Sequence, residues 1–321
     1  MDTIDLQKLA DDIIAGRRLT REDDLSFFID ADLTGLCSGA DRIRAALVGD
    51  FVNLCTIING KSGKCGENCK FCAQSAHHHT SCDIYDLLDA DTILAAAKSN
   101  ESEGVRRFSI VDSGHGPSDA DFEKIIDICE RVHRECTIKL CVSLGFMTDE
   151  QFRRLAAAGV TRIHNNIETS RRYFPHICTT HTFDDKLANI RRAKAAGLEV
   201  CSGCIIGMGE TPEDRIDIAV TLSELGVVSI PINSLMPIPG TPLEHQRRLT
   251  EDEILRCVAT FRYINPEIDI RLAGGRALMS DNGIRTFTSG ASASITGNML
   301  TTSGSTIQSD MAMLKGLGRK V

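Results

Sequence analysis

The chain has 321 residues, 42% of them hydrophobic, and a formal net charge of −8. This length and apolar content suffice for one large domain with a buried core, and α/β barrels reach this size undivided. The acidic charge argues against nucleic acid as the main partner, because phosphate binding favours a basic surface. No apolar run approaches the roughly 18 residues that cross a membrane, and the first residues lack a basic segment followed by a hydrophobic one. We therefore expect a cytoplasmic protein.

Helical patterns fill residues 1–50, where Thr20-Arg21-Glu22-Asp23 is typical of a capped helix start, and we interpret this segment as an N-terminal helical extension. From residue 51 to 305, short strand-like runs alternate with amphipathic helices, which is the pattern of a parallel sheet built from βα units. Residues 306–321 complete the chain as a C-terminal helix and a basic tail, Arg319-Lys320, that we expect to be solvated.

The alternating region contains eight candidate strands. They are residues 52–58, 107–112, 137–144, 161–168, 199–206, 227–235, 269–273 and 293–296. The helices between them are expected to end at Gly159, Gly197 and Gly226, since glycine readily adopts the left-handed conformation that follows a helix. Eight βα units predict a (β/α)8 TIM-type barrel of the α/β class, in which reactive side chains lie at the C-terminal ends of the strands.

A short loop after the first candidate strand contains three cysteines, in Cys65-Gly66-Glu67-Asn68-Cys69-Lys70-Phe71-Cys72. Thiols at positions i, i+4 and i+7 can point at one shared object, and soft thiolate sulfur favours an iron–sulfur cluster, zinc or copper. A structural zinc site normally has four protein ligands, whereas three cysteines on a cubane cluster leave one iron open for a substrate or cofactor. The alternative is a chance grouping, or a zinc knuckle completed by one of His77, His78 and His79.

The aromatic residue before the last cysteine, in Phe71-Cys72, makes this loop similar to the CxxxCxxC signature of radical S-adenosylmethionine (SAM) enzymes. The resemblance implies that Cys65, Cys69 and Cys72 hold a 4Fe–4S cluster whose open iron chelates SAM. It further implies that an electron from the cluster cleaves SAM to a 5′-deoxyadenosyl radical. The motif indicates the superfamily and leaves the substrate open.

Three further thiols fall within candidate strands, at Cys55, Cys141 and Cys201, and Arg271 lies on the seventh. Thiols that point inward from separate strands can form a second metal site, and ordinary core cysteines are an equal alternative. The thirteen cysteines of the chain indicate a reducing compartment. Five of them are expected to be packing or surface residues, namely Cys37, Cys129, Cys136, Cys178 and Cys257.

Several motifs, taken in chain order, are similar to biotin synthase, and the resemblance covers roughly residues 40 to 315. They are residues 139–145 (KLCVSLG), 201–211 (CSGCIIGMGET), 230–233 (IPIN), 270–276 (IRLAGGR) and 297–302 (GNMLTT). Motifs in this order are far more specific than the cysteine loop alone.

In that family a second iron–sulfur cluster, usually 2Fe–2S, lies deep in the barrel on three cysteines and one arginine, and its sulfide is the sulfur donor. The resemblance assigns Cys141, Cys201 and Arg271 to this auxiliary cluster, while Ser109 occupies the position of the remaining cysteine. A serine hydroxyl is a poor substitute for a thiolate at iron. We hypothesise that Cys55 takes its place, and that the auxiliary cluster differs in nuclearity from the usual one. The other thiols considered as substitutes are Cys82 and Cys204.

The resemblance also implies contacts to SAM and to the substrate. Asn166 and Glu168, where the family more often has aspartate, lie in the segment that binds the SAM ribose and dethiobiotin, and their side chains suit a ribose diol. Asn233 matches a contact to the dethiobiotin ureido ring, and His181 stands where the family often has an arginine near the SAM carboxylate. The residues around the SAM adenine are Gly203, Ile205 and Gly207. The alternative for these positions is an ordinary capping or turn residue.

The resemblance implies a radical SAM sulfurtransferase that converts dethiobiotin to biotin, with no catalytic residue beyond those that hold the cofactors. The expected partners are dethiobiotin, an electron donor such as flavodoxin or ferredoxin, and a second copy of the chain in a homodimer. One alternative is another barrel radical SAM enzyme, of the hydrogenase-cofactor maturase or methylornithine synthase type, which the set of Cys141, Cys201 and Arg271 argues against. The other is a non-catalytic iron–sulfur or zinc-binding module.

Overall fold

Parallel strands close into a barrel in the computed structural model, which describes residues 4–297 and 304–321. The strands are β1 (Asn53–Lys61), β2 (Arg107–Asp112), β3 (Lys139–Ser143), β4 (Val160–His164), β5 (Glu199–Cys201), β6 (Cys204–Ile206), β7 (Ser229–Ser234), β8 (Asp269–Leu272) and β9 (Ala293–Ile295). β1 pairs with both β2 and β9, and β5 and β6 both pair with β7. Because β5 and β6 share one position, the barrel has eight strand positions, and the predicted (β/α)8 fold is confirmed.

The fifth candidate strand is interrupted at Ser202-Gly203, where the sequence predicts one continuous run. Cys201, the last residue of β5, pairs with Ser229, and β6 pairs with the same strand farther along. A β-carbon built on Gly203 would lie 1.9 Å from the carbonyl oxygen of Pro231. The two backbones therefore approach too closely for any side chain, and the strand is broken at the glycine.

Two strand ends at the upper edge of the barrel also differ from the prediction. β4 ends at His164 rather than at residue 168. The chain stays beside β5 and β6, where Asn165 N donates to Cys201 O (3.0 Å), but its pairing is irregular and Glu168 adopts a left-handed φ of 67°. β1 continues to Lys61 rather than ending at residue 58, and it pairs with β2 as far as Asp112. The longer β1 leads directly into the cysteine loop.

Helices surround the barrel. They are α1 (Leu6–Ile14), α2 (Leu33–Leu47), α3 (Ala90–Ser102), α4 (Asp119–Glu135), α5 (Asp149–Ala157), α6 (Phe183–Ala195), α7 (Pro212–Leu225), α8 (Glu251–Ile264) and α9 (Ile307–Gly316). Gly159, Gly197 and Gly226 follow three of them with φ of 90°, 83° and 59°, as the sequence predicts. No helix within residues 4–297 and 304–321 is long and apolar enough to cross a membrane.

The prediction of a helix start at Thr20-Arg21-Glu22-Asp23 is wrong. The Asp23 carboxylate accepts a hydrogen bond from Thr20 N (2.8 Å), which closes a turn, and only a 3₁₀ turn at Ser26–Phe28 follows. The N-terminal helices pack against α8, where Tyr263 Oη donates to Leu6 O (3.0 Å). The turn lets the chain reverse between α1 and α2, so that α1 packs against α2 and α2 packs against α8.

The C-terminal tail is not simply solvated, as its basic sequence suggests. Arg319 is largely buried and forms ion pairs with Asp41 (3.0 Å) and Asp50 (2.9 Å). Lys320 forms a parallel bridge with Phe51, next to the start of the barrel. The tail is therefore part of the packed structure. Residues 298–302 of the motif at 297–302 lie outside the described residues.

A buried ion pair fastens α9 to the barrel: both terminal nitrogens of Arg276 donate to the Asp310 carboxylate (2.9 and 2.8 Å). Asp310→Asn leaves the buried guanidinium without its counter-charge, so we expect it to lower the free energy of unfolding by about 3–5 kcal/mol. Arg171 and Asp184 form the same two-bond pair on the surface, and Asp184→Asn should cost less than about 1 kcal/mol. Urea unfolding followed by circular dichroism compares the variants, and equal losses would contradict this interpretation.

Candidate active site

A cavity of about 420 Å³ opens at the C-terminal ends of the barrel strands and reaches into the barrel. The loop after β1 lines its upper part with Cys65, Cys69 and Cys72. Side chains from within the strands, among them Cys141 and Cys201, line its lower part. Both predicted metal sites therefore share one cavity at the end of the barrel where active sites occur.

Backbone hydrogen bonds fold the cysteine loop back on itself. Cys65 N donates to Gln74 O (3.0 Å), and Ala76 N donates back to Cys65 O (2.8 Å). Cys72 N donates to Cys69 O (3.0 Å), which forms a tight turn between the last two thiols. These hydrogen bonds fix the backbone path of the loop that carries the three cysteines.

The histidine triplet supports the backbone of this loop. His77 Nε2 hydrogen-bonds to Gly66 O (3.0 Å), and His78 Nδ1 hydrogen-bonds to Cys72 O (2.9 Å). The described residues bring three candidate ligand atoms within 4.8 Å of one another at Cys69, Cys178 and His181, and not at the triplet. A zinc knuckle completed by the triplet is therefore not supported.

Glu67 is a buried carboxylate between the first two cysteines that the sequence analysis did not identify. It accepts hydrogen bonds from His115 Nδ1 and His181 Nδ1, both at 2.5 Å, and from Thr180 Oγ1. Burial opposes ionisation, but these three hydrogen bonds lower the pKa of Glu67 to about 2. The charged carboxylate thereby ties the cysteine loop to the loops that follow β2 and β4.

Cys178 is buried, as expected for a packing residue, but its neighbours belong to the candidate site. A hydrogen bond with Cys178 raises the pKa of Cys69, and the same bond lowers the pKa of Cys178. Cys178 Sγ also lies 3.4 Å from His181 Nδ1. No spacing in the sequence relates residue 178 to the cysteine loop, and only the fold brings them together.

The lower part of the cavity, here called the lower chamber, is lined by Cys55, Ser109, Cys141, Cys201 and Arg271. All five side chains are buried. Ser109 pairs with Cys141 across β2 and β3, so the serine hydroxyl and the thiol face the same space. The chamber therefore contains every residue that the sequence assigns to the auxiliary cluster, including the substituted position.

Arg271 is fixed from below by the strands beside it. Its Nη1 donates to Ser294 O (2.7 Å) and Asn53 O (2.9 Å), and its Nε donates to Ser229 Oγ (3.3 Å). Its remaining nitrogen, Nη2, is buried, and no atom of the described residues accepts a hydrogen bond from it. A buried guanidinium N–H without a partner indicates that an acceptor occupies the chamber in the working protein.

The chamber thiols differ in how readily they ionise. Burial raises the pKa of Cys55, and it raises that of Cys141 to about 12. Burial also raises the pKa of Cys201, but a hydrogen bond with His164, together with the charges of His164, Arg271 and Arg162, lowers it to about 7. Cys204 is buried outside the chamber wall, and Cys82 likewise does not line it.

The ribose candidates Asn166 and Glu168 meet on the wall of the upper cavity. Asn166 Oδ1 accepts from Gly203 N (2.9 Å), and Asn166 Nδ2 donates to Glu168 Oε2 (3.4 Å). The left-handed φ of Glu168 is rare for a residue with a side chain, and such backbone strain is concentrated at functional sites. These two side chains support each other at the place where a diol can bind.

Of the remaining predicted contact residues, Ile205, Asn233 and His181 lie on the cavity wall. Both ends of the Asn233 amide are already engaged, since Oδ1 accepts from Gly274 N (2.9 Å) and Nδ2 donates to Cys204 O (3.1 Å). Each end retains capacity for one further hydrogen bond.

Gly203 and Gly207 are not part of the cavity wall formed by the described residues. Gly203 N is engaged by Asn166, and Gly207 N donates to a buried carboxylate oxygen of Glu210 (2.7 Å). A β-carbon on Gly207, which has a φ of 92°, would lie 2.9 Å from Leu249. Packing within the protein thus explains both glycines, and a contact to adenine stays a prediction.

The donors present fit the groups that the sequence implies. Three soft thiols line the upper cavity, and the lower chamber adds three more beside the unpartnered Arg271 Nη2. His181 Nε2 is also buried without a partner among the described residues, on the wall of the upper cavity. A thiolate-bound cluster in each part and a carboxylate near His181 would satisfy these atoms.

Comparison with known proteins identifies two regions of the chain. Residues 61–222 match the radical SAM superfamily, and residues 231–320 match the biotin and thiamin synthesis associated domain. The chain is 56% identical to the biotin synthase of Clostridium beijerinckii, over 98% of this chain and 99% of that protein. The biotin synthase of Alkaliphilus metalliredigens is also 56% identical, over the same shares of both chains.

The chain belongs to the biotin synthase family. Membership brings the cofactors of that family, which are a 4Fe–4S cluster, SAM and an auxiliary 2Fe–2S cluster. The resemblance seen in the sequence is confirmed.

Solved structures share the fold of this biotin synthase homologue. Methylornithine synthase (PylB) has a TM-score of 0.85 and 21% identity, covering 97% of this chain and 96% of that one. HydG, a maturase of the [FeFe]-hydrogenase, has a TM-score of 0.84 and 16% identity, covering 99% and 75%. At these identities the likeness concerns the barrel alone.

Asp112, at the end of β2, was also missed in the sequence. It lines the cavity, and burial raises its pKa from 3.8 to about 7. Between these two values the folded chain binds more protons than the unfolded chain, so stability falls as pH rises through this window. Asp112→Asn removes this pH-dependent loss of stability, because asparagine does not titrate.

We therefore expect the melting temperature of the Asp112→Asn variant, relative to the parent chain, to rise by a few degrees between pH 5 and pH 8. Differential scanning fluorimetry at both pH values measures the two differences. A melting-temperature difference that is the same at pH 5 and pH 8 would show that Asp112 does not titrate in this range.

Proposed function

We propose that the chain converts dethiobiotin to biotin as a radical SAM sulfurtransferase. One observation carries the proposal: a single cavity joins the three thiols of the cysteine loop to a buried chamber with further thiols and an arginine. An enzyme that only cleaves SAM has no need of the second, deeper set. The names of the relatives from Clostridium beijerinckii and Alkaliphilus metalliredigens support the same reaction.

The residues divide between two groups of cofactors. Cys65, Cys69 and Cys72 would hold the 4Fe–4S cluster, and the residues of the lower chamber would hold the auxiliary cluster. When bound there, the 4Fe–4S cluster and SAM supply the electron and the 5′-deoxyadenosyl group that removes hydrogen from dethiobiotin, and the auxiliary cluster supplies sulfur.

In the upper cavity the protein positions SAM. His181 Nε2 donates a hydrogen bond to the SAM carboxylate, while the Glu67 carboxylate holds the opposite ring nitrogen and fixes the ring. Asn166 and Glu168 bind the ribose hydroxyls, and Ile205 provides an apolar wall for the adenine.

Between the two cofactor sites the protein positions dethiobiotin. Asn233 offers its remaining amide N–H and lone pair to the ureido ring, and Asn166 contributes a second amide. The barrel wall surrounds this space on its sides, which limits the access of water to reactive carbon centres.

The lower chamber supplies a soft donor set. Cys141, Cys201 and Arg271 are proposed as ligands of the auxiliary cluster, and Cys55 provides the third thiolate that Ser109 cannot provide. The low pKa of Cys201 favours its thiolate before metal binds.

We also propose a domain organisation, a location and partners for the enzyme. Residues 1–50 form an N-terminal extension, residues 51–305 the catalytic barrel and residues 306–321 a C-terminal helix and tail. The chain works in the cytoplasm as a homodimer and receives electrons from a donor such as flavodoxin or ferredoxin.

Reduction of the reconstituted chain with SAM and dethiobiotin under nitrogen tests the reaction. We expect 5′-deoxyadenosine and biotin, both quantified by liquid chromatography with mass spectrometry. Cys65→Ala should abolish both products, because two thiolates hold a cubane cluster poorly. Cys136→Ala, which removes a thiol at the end of α4 and far from the cavity wall, should leave both unchanged.

Two results would overturn the proposal in different ways. 5′-Deoxyadenosine without biotin would favour a radical SAM enzyme of another type, such as methylornithine synthase. Absence of both products from a chain that carries its full iron complement would favour a binding module.

Replacing Cys55 tests its role as the substitute ligand. Cys55→Ser should lower the iron and acid-labile sulfide content by the amount that belongs to the auxiliary cluster, while the SAM-dependent spectrum of the loop cluster persists. Cys204→Ser is the matched control, because Cys204 is an equally buried strand thiol outside the chamber wall. Unchanged iron and sulfide in Cys55→Ser would exclude Cys55 as a ligand.

A further inference from the structure

Two arginines besides Arg271 face the cavity at the lower end of the barrel. Arg107 is the first residue of β2, and Arg162 lies near the start of β4. Both line the cavity, and both are buried, with 5% and 6% of their surface exposed. Charged side chains are rarely this buried unless they are paired, so their partners need to be accounted for.

Arg107 is only partly satisfied. Its Nη1 donates to Thr161 Oγ1 (3.0 Å), and its Nη2 lies 3.6 Å from a carboxylate oxygen of Glu199. Its Nε is buried, and the described residues offer it no acceptor.

Arg162 shows the same pattern. Its Nε and Nη2 both bind the Glu199 carboxylate (2.9 and 2.8 Å), and Glu199 itself is half-exposed at the start of β5. Its Nη1 is buried without a partner in the described chain. One carboxylate, partly in solvent, therefore serves two buried guanidinium groups.

The charge around the lower chamber is unbalanced. Arg107, Arg162 and Arg271 face it, while Glu199 is shared between two of them and Asp269 lies 4.0 Å from the third. Each arginine leaves one buried N–H unpartnered. No sulfur atom of the chamber thiols accepts a hydrogen bond from these three nitrogens. The unpaired donors and the excess positive charge both require an anion.

We infer that Arg107 and Arg162 form an anion-binding site at the closed lower end of the barrel, and that its ligand is a small inorganic sulfur anion. This inference rests on the proposed function, which places a sulfur donor directly above. The thiol side chains of Cys55, Cys141 and Cys201 line the space next to the site, so its ligand must be small and compatible with soft donors. A sulfide belonging to the auxiliary cluster and a free hydrosulfide ion both meet these conditions.

The site acts by hydrogen bonding and charge, and it requires no covalent step. Arg107 Nε and Arg162 Nη1 donate to the sulfur anion, which lowers the cost of holding negative charge among buried thiolates. Glu199 keeps both guanidinium planes oriented toward the chamber. The two arginines are positioning residues, because they act on the sulfur anion and not on dethiobiotin.

The test uses the full chain with Arg107→Gln and Arg162→Gln, which retain side-chain bulk and remove charge, and Arg162→Lys, which retains charge. Arg106→Gln is the matched control, because Arg106 is the preceding residue and lies exposed over the Phe51 ring on the outer side. Melting temperatures establish that each variant is folded, and a glutamine variant that does not fold is replaced by Arg107→Met or Arg162→Met, which also removes the charge.

In the first arm, sodium hydrosulfide is titrated into the cluster-free chain by anaerobic calorimetry. In the second arm, the chain is reconstituted with iron and sulfide, and its acid-labile sulfide is counted per iron. Loss of about tenfold or more in hydrosulfide affinity on either arginine-to-glutamine change identifies free hydrosulfide as the ligand. A fall in sulfide per iron, with no binding in the first arm, identifies a sulfide of the cluster. Arg162→Lys should lose less than Arg162→Gln in either arm, and Arg106→Gln should lose nothing.

Two outcomes overturn the inference. Unchanged hydrosulfide affinity and unchanged sulfide per iron in both glutamine variants would exclude a sulfur anion at this site. Binding of sodium acetate in place of hydrosulfide would assign the site to a carboxylate. Biotin formation by the parent chain is measured separately. If the parent chain makes biotin but the arginine variants change neither hydrosulfide affinity nor sulfide per iron, this inference is wrong and the proposed function stands.

Discussion

The structure depends on one constraint, which is the inward direction of alternate side chains in a closed parallel barrel. Cys55, Cys141, Cys201 and Arg271 are far apart in sequence, and closure of the sheet turns all four toward the same axis. In most barrels these positions carry branched apolar residues that fill the interior. Here small and polar side chains replace them, and the barrel retains a cavity.

The two candidate metal sites lie at different depths along the barrel axis. The cysteine loop follows the C-terminal end of β1, whereas Cys55 lies near the beginning of the same strand. A single strand therefore connects the upper thiols to the lower chamber. The proposed substrate space lies between the two, and the hydrogen bonds of Glu67 join the loops of its upper wall.

Periodicity and motif spacing predicted the barrel, because each βα unit repeats a local pattern of strand, amphipathic helix and terminal glycine. They did not predict the break at Gly203, since it arises from the approach of Pro231, a residue distant in sequence. The cysteine loop was predictable for the same reason as the helices, because its three cysteines are neighbours in the chain. Glu67 and Cys178 were not recognised as related, because their partners come from loops after other strands and only tertiary structure joins them.

The polar interior has a consequence for stability. Each buried donor left without a partner costs about 1–3 kcal/mol, and three guanidinium groups facing one chamber also repel one another. Binding of an anionic sulfur group removes both penalties, so the group stabilises the folded chain by more than its bonds to the thiols alone. The stability of the folded barrel therefore depends on whether the chamber holds its anionic group. Folding and cofactor binding are thermodynamically linked through Arg107, Arg162 and Arg271.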